Sequence, residues 1–341
     1  MPLLYFRHLA VSALCCGLLS ASHAPVFAAP REKAKVAAAK TKPLQRPLTL
    51  GQGRVLEPGI VWNEVSLKSA AGFMRLWIYR PAEAQIAGDK KFPVVFVAPA
   101  GTPLHYGSRV GPGSSPEHIP YVRAGFIVVA YEIDGDVAQS GDMNQVEVGT
   151  RQFIRANSGL NNGMTAVNFA LARIPRVDPK RLYVAGHSSA GTLALQMAEY
   201  DRRIAACVAY APCTDIATRL DAEYIQNWES RIPGFTRTVI GFSPNMHPEK
   251  LRCPTFLFHA DDDSNVPLAD NYAFAVAVRR TNPRLYLARV ATGNHYESMI
   301  QQGIPWAIRW LQTKPETIPA TKTKSKTTKV TASIKRKSKT P

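Results

Sequence analysis

The sequence has few cysteines and none in a metal-binding arrangement. Its 341 residues include five, of which Cys15 and Cys16 lie in the N-terminal segment. The remaining three, Cys207, Cys213 and Cys253, lack the paired spacing of a zinc site. We therefore predict no structural zinc. Buried free thiols are expected, and a disulfide bond between Cys207 and Cys253 is the alternative.

Long hydrophobic runs are also missing. The longest at the N-terminus, Leu9–Leu19, has eleven residues, whereas a membrane-spanning helix needs about 20. Arg7 precedes this run and the small residues of "APVFAAP" follow it, which is typical of a secretory signal cleaved after Ala28 or after Ala24. We expect residues 1–28 to be removed and the mature chain, without a transmembrane segment, to be secreted or periplasmic.

Acidic residues are scarce, but the excess of positive charge is confined to the ends of the chain. The net charge is +17, and residues 1–47 hold seven Lys/Arg against one Glu, while residues 314–341 hold nine against one. The middle, 48–313, carries only +3. We interpret 29–47 as a flexible basic linker and 314–341 as a disordered Lys-rich tail, since the tail has no aromatic residue and few apolar ones. An anionic envelope polymer is a possible partner of the tail. Nucleic acid is not expected, because no aromatics alternate with the lysines to stack on bases.

Between the tails, strand and helix patterns alternate. Apolar strand patterns occupy 60–67, 73–80, 93–101, 125–133, 181–188, 204–212, 254–263 and 284–295, and helical patterns occupy 161–174, 189–201 and 268–280. The first two strands predict an antiparallel hairpin. The others contain short apolar runs, which are typical of parallel strands covered on both faces. The pattern predicts a three-layer α/β fold with a mostly parallel central sheet and helices on both faces.

Residues 213–250 interrupt this alternation before the strand at 254–263. We predict that they form a small helical cap over a pocket. Tyr224, Trp228 and Phe235 are candidate wall residues of that pocket, with ordinary packing of the three aromatics as the alternative.

Two adjacent serines in "VAGHSSAGTLAL" lie between a strand pattern and a helix pattern. A nucleophile on such a tight strand-to-helix turn requires small residues two positions before and two positions after it. Ser188 meets this condition with Gly186 and Ala190, whereas Ser189 is preceded at that distance by His187, whose side chain would collide. Ser188 is therefore the predicted nucleophile. His187 is expected to point away and not to be the catalytic base.

A catalytic serine needs an imidazole to accept its proton and a carboxylate to orient that imidazole. The stretch "FLFHADDDSNVP" resembles the α/β-hydrolase superfamily, in particular the dienelactone hydrolase and prolyl oligopeptidase-like esterases and peptidases. These proteins carry a histidine, an aspartate four residues later and then a Val-Pro pair. The matching positions here are His259, Asp263, Val266 and Pro267. The resemblance implies that Asp263 is the triad acid.

A second stretch, "VDPKRLYVAGHSSAG" (177–191), resembles the same family's approach to its nucleophile. The resemblance extends over about residues 60–312. It implies an α/β-hydrolase domain over 48–313, with the cap inserted at about 213–250.

His295 in "ATGNHYES" is the predicted base. It follows the last strand pattern, 32 residues after Asp263, and completes the order Ser–Asp–His found in α/β-hydrolases. His259 lies inside a strand and is expected to be a hydrogen-bonded core residue. His105 and His118 follow the first parallel strand and are candidates to line the pocket.

The oxyanion formed during acyl transfer must be met by two backbone N–H groups. The first predicted donor is Ser189, which follows the nucleophile. The second lies in "APAGTPL", where Pro99 has no N–H and Gly101 or Thr102 is expected to donate. No cofactor or metal is predicted, and the three consecutive carboxylates of 261–263 lack the alternating ligand spacing of a calcium loop.

The sequence predicts a secreted serine hydrolase that cleaves carboxylic esters of small molecules or polysaccharides through an acyl-enzyme. A peptidase with the same triad is the second reading. It is less favoured because family peptidases usually carry a large N-terminal propeller, and the segment 48–92 is too short for blades of four strands each. The third reading is a non-catalytic module that binds the envelope through its basic tail.

Overall fold

The computed structural model describes residues 50–85, 88–100, 116–135 and 142–318. The predicted signal segment and linker lie outside these ranges, as do the tail beyond residue 318 and the predicted site residues Gly101, Thr102 and His105.

Nine strands and eight α-helices are found in the described ranges. The strands are β1 (Arg54–Glu57), β2 (Ile60–Lys68), β3 (Phe73–Pro81), β4 (Phe92–Val97), β5 (Ile127–Tyr131), β6 (Val177–His187), β7 (Ile204–Tyr210), β8 (Thr255–Ala260) and β9 (Leu285–Val290). The helices are α1 (Ile119–Arg123), α2 (Met143–Arg155), α3 (Leu160–Arg173), α4 (Ser189–Tyr200), α5 (Ala222–Arg231), α6 (Phe235–Gly241), α7 (Leu268–Arg279) and α8 (Ile304–Gln312). A π-helical turn, Met299–Gly303, leads into α8.

All nine strands belong to one sheet in the order β1-β2-β3-β5-β4-β6-β7-β8-β9. β1, β2 and β3 are antiparallel and join the rest through an antiparallel pairing of β3 with β5. From β5 to β9 every pairing is parallel. The carboxyl ends of β6, β8 and β9 therefore lie at one edge of the sheet, where ligands bind in open α/β sheets.

Alternate residues of the parallel strands enter two separate cores. On one face Leu182 and Val184 of β6 pack with side chains of α3, α4 and α7. On the other face Tyr183 and Ala185 pack with side chains of α1 and α8. The sheet is thus covered on both sides, which explains why its central parallel strands β4, β5, β7 and β8 are largely apolar on both faces. The predicted fold class is confirmed.

The unpredicted elements include β1, α1 and α2, and the start of the tail also differs. β1 extends the hairpin by an edge strand. α2 begins after Asp142, whose carboxylate accepts a hydrogen bond from the N–H of Asn144 at 2.9 Å. At the C-terminus, a 3₁₀ turn at Pro315–Thr317 follows α8, and the Tyr183 hydroxyl donates to Glu316 at 3.1 Å. The first residues of the predicted disordered tail are therefore folded.

The three described cysteines are free thiols, so the alternative of a bridge between Cys207 and Cys253 is not realised. Burial raises the pKa of all three thiols, to about 12 for Cys213 and Cys253. These groups are protonated at neutral pH and are poor nucleophiles.

Within the described ranges, no helix is both long enough and apolar enough to cross a bilayer.

Helix α4 carries a buried carboxyl group. Glu199 is 4% exposed, and its Oε1 has no hydrogen-bond partner among the described residues. Burial raises its pKa to about 9, with Lys250 opposing the shift and Glu249 adding to it. Between the ordinary value of 4.5 and about 9, the folded protein holds a proton that the unfolded chain releases. Stability contributed by this proton is present at low pH and is lost as the pH rises through that window.

Replacing Glu199 with glutamine is expected to stabilise the protein at pH 8 by on the order of 2–4 kcal/mol and to have little effect at pH 4.5. Thermal unfolding of wild type and variant at the two pH values measures the difference. Glu249→Gln is the matched control, because that side chain is exposed and its removal should shift the melting temperature little at either pH. Equal gains from Glu199→Gln at both pH values would contradict a buried protonated carboxyl group.

Candidate active site

The turn at Ser188 has the geometry expected for a nucleophile. β6 ends at His187 and α4 begins at Ser189, and Ser188 between them has φ 54° and ψ −123°. A residue other than glycine rarely adopts such angles. The turn is tight, because a Cβ on Gly186 would lie 2.2 Å from the backbone oxygen of Ala190. The methyl group of Ala190 is accommodated in the interior, where the residue is 1% exposed.

Asp263 follows the end of β8 and accepts hydrogen bonds at both carboxylate oxygens. Its Oδ2 lies 2.8 Å from Nδ1 of His295 and 3.2 Å from Nε2 of His259. Its Oδ1 accepts from the backbone N–H groups of Asn265 at 2.8 Å and Val266 at 2.9 Å. Burial alone would raise the pKa of Asp263, but the two imidazoles and the two N–H donors outweigh it and hold the pKa well below its usual range. Asp263 is therefore ionised at neutral pH.

Hydrogen bonds of the Asp262 and Asn294 side chains connect the loop after β8 to the loop after β9. The Asp262 carboxylate accepts from the N–H groups of Gly293 at 3.1 Å and Asn294 at 2.7 Å. The Asn294 side-chain oxygen accepts from the N–H groups of His295 at 2.7 Å and Ser264 at 3.1 Å. The backbone that carries His295 is thus held in place independently of its contact with the acid.

His259 is fully buried, and its neighbours determine its tautomer. The side-chain nitrogen of Asn271 donates to the carbonyl of Pro212 at 3.0 Å and contacts Nδ1 of His259 at 2.8 Å. Because the Pro212 carbonyl can only accept, the nitrogen of Asn271 faces it, and His259 Nδ1 is the acceptor of the second bond. The proton of His259 is then on Nε2, which donates to Asp263 and to the Val266 carbonyl, 3.1 Å away. His259 is the hydrogen-bonded core residue expected from the sequence, but its contact with the acid was not anticipated.

His187 lies directly against His295. Their ring centroids are 4.4 Å apart, and Nε2 of His187 is 2.9 Å from the backbone oxygen of His295. Burial, with a further contribution from His295, lowers the pKa of His187 to about 4. The ring is therefore neutral at pH 7 and donates its Nε2–H to that carbonyl. The expectation that His187 points away is wrong, because its ring packs on His295. The neutral His187 ring holds the backbone of His295 through this hydrogen bond and adds no charge to the site.

His295 Nε2 is buried and has no hydrogen-bond partner among the described residues. The Ser188 hydroxyl and this nitrogen are thus not hydrogen-bonded in this structure, as is common before substrate binds to a catalytic pair. The contact of His187 with His295 brings the loop after β9 to the residue adjoining Ser188.

Ser189, the first predicted oxyanion donor, is the first residue of α4. Its N–H therefore belongs to the positive end of a 12-residue helix, where negative charge is stabilised. The second predicted donor, Gly101 or Thr102, lies outside the described residues.

A cavity of about 230 Å³ opens at Ser188. Most of its wall is apolar and includes Ile133, Phe153, Leu193, Val239 and Val266.

The polar part of the wall is small. Thr192 donates to the backbone oxygen of Cys213 at 2.8 Å, and the side-chain amide of Gln196 donates to the backbone oxygen of Phe242. At the rim, the exposed Arg219 donates to the side-chain oxygen of Asn265 at 2.9 Å.

The predicted cap is present, but its aromatics have a different role from that of pocket walls. Trp228 stacks on Phe235 with a centroid separation of 5.8 Å, and Tyr224 packs on both. These rings form a separate small core, and the cap instead contributes Leu220 and Val239 to the cavity. The alternative of ordinary packing is therefore correct.

His118 is also absent from the cavity wall. It is 3% exposed and packs against Tyr79 at a centroid separation of 5.7 Å. Burial lowers its pKa to about 4. The prediction that it lines the pocket is wrong.

The described part of the chain contains no group of three or more His, Cys, Asp and Glu side chains arranged to hold a metal ion. Asp261, at the start of the three-aspartate run, instead pairs with Arg289 at 2.8 Å.

The fold and the turn at Ser188 define an α/β-hydrolase of the serine hydrolase class. The family model of the peptidase S9, prolyl oligopeptidase family matches residues 114–309, more than half of the chain. The protein belongs to the prolyl oligopeptidase family. The resemblance found in the sequence is thereby confirmed.

Two curated relatives match parts of the chain. The chain is 27% identical over 180 residues to the acetyl esterase Axe7A of Xylanibacter ruminicola. The match covers 45% of this chain and 39% of that protein. It is 22% identical over 236 residues to the uncharacterized peptidase YuxL of Bacillus subtilis, which covers 64% of this chain and 33% of the relative. The chain thus spans well under half the length of these relatives.

Among solved structures, acylaminoacyl peptidase of Pyrococcus horikoshii has a similar fold. The TM-score is 0.62 at 16% identity, and the match covers 76% of this chain and 43% of that one.

Proposed function

We propose that this protein hydrolyses carboxylic esters through an acyl-enzyme on Ser188, with His295 as the base and Asp263 as the acid of the triad. The observation that carries the proposal is the 2.8 Å hydrogen bond between the ionised Asp263 and Nδ1 of His295. This bond places the proton of the neutral His295 on Nδ1 and leaves Nε2 as the proton acceptor.

In the proposed reaction, the Ser188 oxygen attacks the acyl carbon and its proton passes to His295 Nε2. The imidazolium is stabilised by Asp263, and the oxyanion is met by the N–H of Ser189. Collapse of the tetrahedral intermediate releases the alcohol, which takes the proton from His295 and leaves an acyl group on Ser188. Water then attacks this acyl-enzyme by the same steps, releasing the carboxylic acid and restoring Ser188.

Two observations favour esters as substrates. The cavity at Ser188 is largely apolar and, at about 230 Å³, suits an acyl chain or a small ring. One of the curated relatives is an acetyl esterase.

A peptidase is the second candidate, supported by the family to which the chain belongs and by the fold it shares with acylaminoacyl peptidase. The same triad cleaves amides, so the site chemistry does not separate the two activities.

The test is a panel of p-nitrophenyl esters and aminoacyl p-nitroanilides, measured on wild type and Ser188→Ala. Ester hydrolysis by wild type alone is the expected result. Anilide hydrolysis without ester hydrolysis would establish the peptidase instead. No turnover of either series, together with no labelling by a fluorophosphonate probe, would favour the non-catalytic envelope-binding module.

We also propose that the chain is exported and that the basic tail tethers it to an anionic envelope polymer. The proposal rests on the signal-like segment 1–28 and on the net charge of +8 in residues 314–341. N-terminal sequencing of the protein recovered from outside the cytoplasm would identify the cleavage site, whereas an intact Met1 would contradict export.

A further inference from the structure

The connection between α2 and α3 is strained at the cavity. Three consecutive residues, Asn157, Ser158 and Gly159, have φ values of 54°, 53° and 83°. The first two are not glycine, and residues that carry a side chain rarely adopt such backbone angles. Sparsely populated conformations of this kind persist only when the surrounding structure enforces them, and they concentrate at functional sites.

Packing against the cavity wall enforces this conformation. A Cβ on Gly159 would lie 2.9 Å from Cγ2 of Ile133 and 3.1 Å from Cδ2 of Leu193, so only glycine allows the backbone to approach so closely. The backbone is further held by the N–H of Ser158, which donates to the carbonyl of Phe153 at 2.9 Å. Ser158 is thereby held in the wall of the cavity that contains Ser188.

The Ser158 hydroxyl is buried and has no partner in the part of the chain that the structure describes. The residue is 6% exposed, and its Oγ makes no hydrogen bond to any of the described residues. A buried hydroxyl without a partner is unfavourable, because the hydrogen bonds it made to water are not replaced. It does not cap α3 either, since Gly159 is the N-cap residue of that helix and the Ser158 Oγ has no partner among the described residues.

Among the described residues that line the cavity, Ser158 is the one with a fully buried polar side-chain atom that lacks a partner. Thr192 and Gln196 lie on the same wall, and both donate to backbone carbonyl groups of the protein. Around them the wall is apolar. A ligand that fills this cavity therefore meets a largely apolar wall, in which the Ser158 hydroxyl is the buried group without a partner among the described residues.

We propose that Ser158 determines substrate specificity by hydrogen-bonding an oxygen on the acyl chain of the substrate. The preferred esters then have an apolar acyl chain that carries an oxo or hydroxyl group at the depth of Ser158. The inference rests on the proposed function, since it takes the cavity at Ser188 as the acyl site.

The test compares matched p-nitrophenyl esters whose acyl chains differ by one oxygen. The three pairs of acyl groups are pentanoate with 4-oxopentanoate, hexanoate with 5-oxohexanoate, and heptanoate with 6-oxoheptanoate. For each pair, the ratio of kcat/KM for the oxo ester to kcat/KM for the alkyl ester is measured in wild type and in Ser158→Ala. At the chain length that reaches Ser158, the ratio should be about three- to tenfold higher in wild type, the range given by a single neutral hydrogen bond.

Thr192→Val is the matched control. It also removes a hydroxyl from the cavity wall, but one that already has a partner within the protein. The substitution can change kcat/KM for the individual esters, but the ratio of kcat/KM for the oxo ester to kcat/KM for the alkyl ester should stay at the wild-type value. Ser158→Gly provides a second variant that also removes the strain at φ 53°, so that poor folding of one variant does not decide the result.

A purely structural Ser158 predicts a different outcome. If wild type and both Ser158 variants show equal ratios at all three chain lengths while ester hydrolysis persists, the inference is overturned and the proposed function stands. If wild type hydrolyses none of these six esters but does hydrolyse p-nitrophenyl acetate, the inference is overturned and the proposed function stands. If wild type hydrolyses no ester at all, both the inference and the proposed function are overturned. Retained or raised thermal stability of Ser158→Ala together with a lowered ratio supports the inference, because removal of an unpartnered buried hydroxyl does not weaken the fold.

Discussion

Ser188→Ala is expected to lower kcat/KM for p-nitrophenyl esters by about 10⁴-fold or more, because removal of the nucleophile from a triad leaves only binding and oxyanion stabilisation. Alanine removes only the hydroxyl, so the melting temperature should change little. Kinetics with an ester of a small acyl group, together with thermal unfolding, check both expectations.

Ser189→Ala is the control that separates the two neighbouring serines. It retains the backbone N–H proposed to meet the oxyanion, and its activity should fall by less than about tenfold, since the loss of one oxyanion donor costs 10²–10³ and this donor remains. Covalent labelling with a fluorophosphonate, followed by peptide mapping, should find the modification on Ser188. Modification of Ser189 would refute the assignment of the nucleophile.

Asp263→Asn is expected to lower kcat by about 10⁴-fold, the loss seen when the acid of such a triad is replaced by an amide. The reason lies in the number of donors around this side chain. Imidazole N–H groups of His295 and His259 face one oxygen, and the N–H groups of Asn265 and Val266 face the other. An amide has only one oxygen, so its NH₂ group must face donors in either orientation.

The same substitution should destabilise the protein by about 1–3 kcal/mol, the cost of leaving buried donors without an acceptor. Asp261→Asn is the matched control, because Asp261 pairs with Arg289 near the surface. Its kcat should remain within about twofold of wild type, since exposed ion pairs contribute little. Comparable losses from both variants would argue against a special role for Asp263.

The order of the strands along the sequence and the strand-to-helix turn at Ser188 could be predicted because each depends on local patterns. Continuous apolar runs identified the parallel strands, and steric limits alone separated Ser188 from Ser189. Helix α2 was not predicted, because its buried residues are Gly149 and Thr150 beside Val146. These small and polar residues leave few large apolar residues to mark the helix in a search for apolar segments.

The contacts around the acid depend on tertiary structure and were beyond prediction. Three consecutive aspartates have three different sets of partners: Asp261 pairs with Arg289, Asp262 accepts backbone N–H groups, and Asp263 meets His295. Nothing in their spacing distinguishes them, and the resemblance to known hydrolases was needed to select the third.

His187 and Ser158 were missed for a related reason. A histidine next to a nucleophile and a serine between two helices carry no local signal. Their importance comes from neighbours more than 25 residues away in the chain, His295 for one and the cavity at Ser188 for the other.

The turn at Ser188 restricts the two small residues around it unequally. On the strand side, no atom can be added to Gly186 without striking the main chain of the helix. On the helix side, Ala190 already carries a methyl group that the interior accepts. Among relatives, we therefore expect either glycine or alanine two positions after the serine. Two positions before it, we expect only glycine.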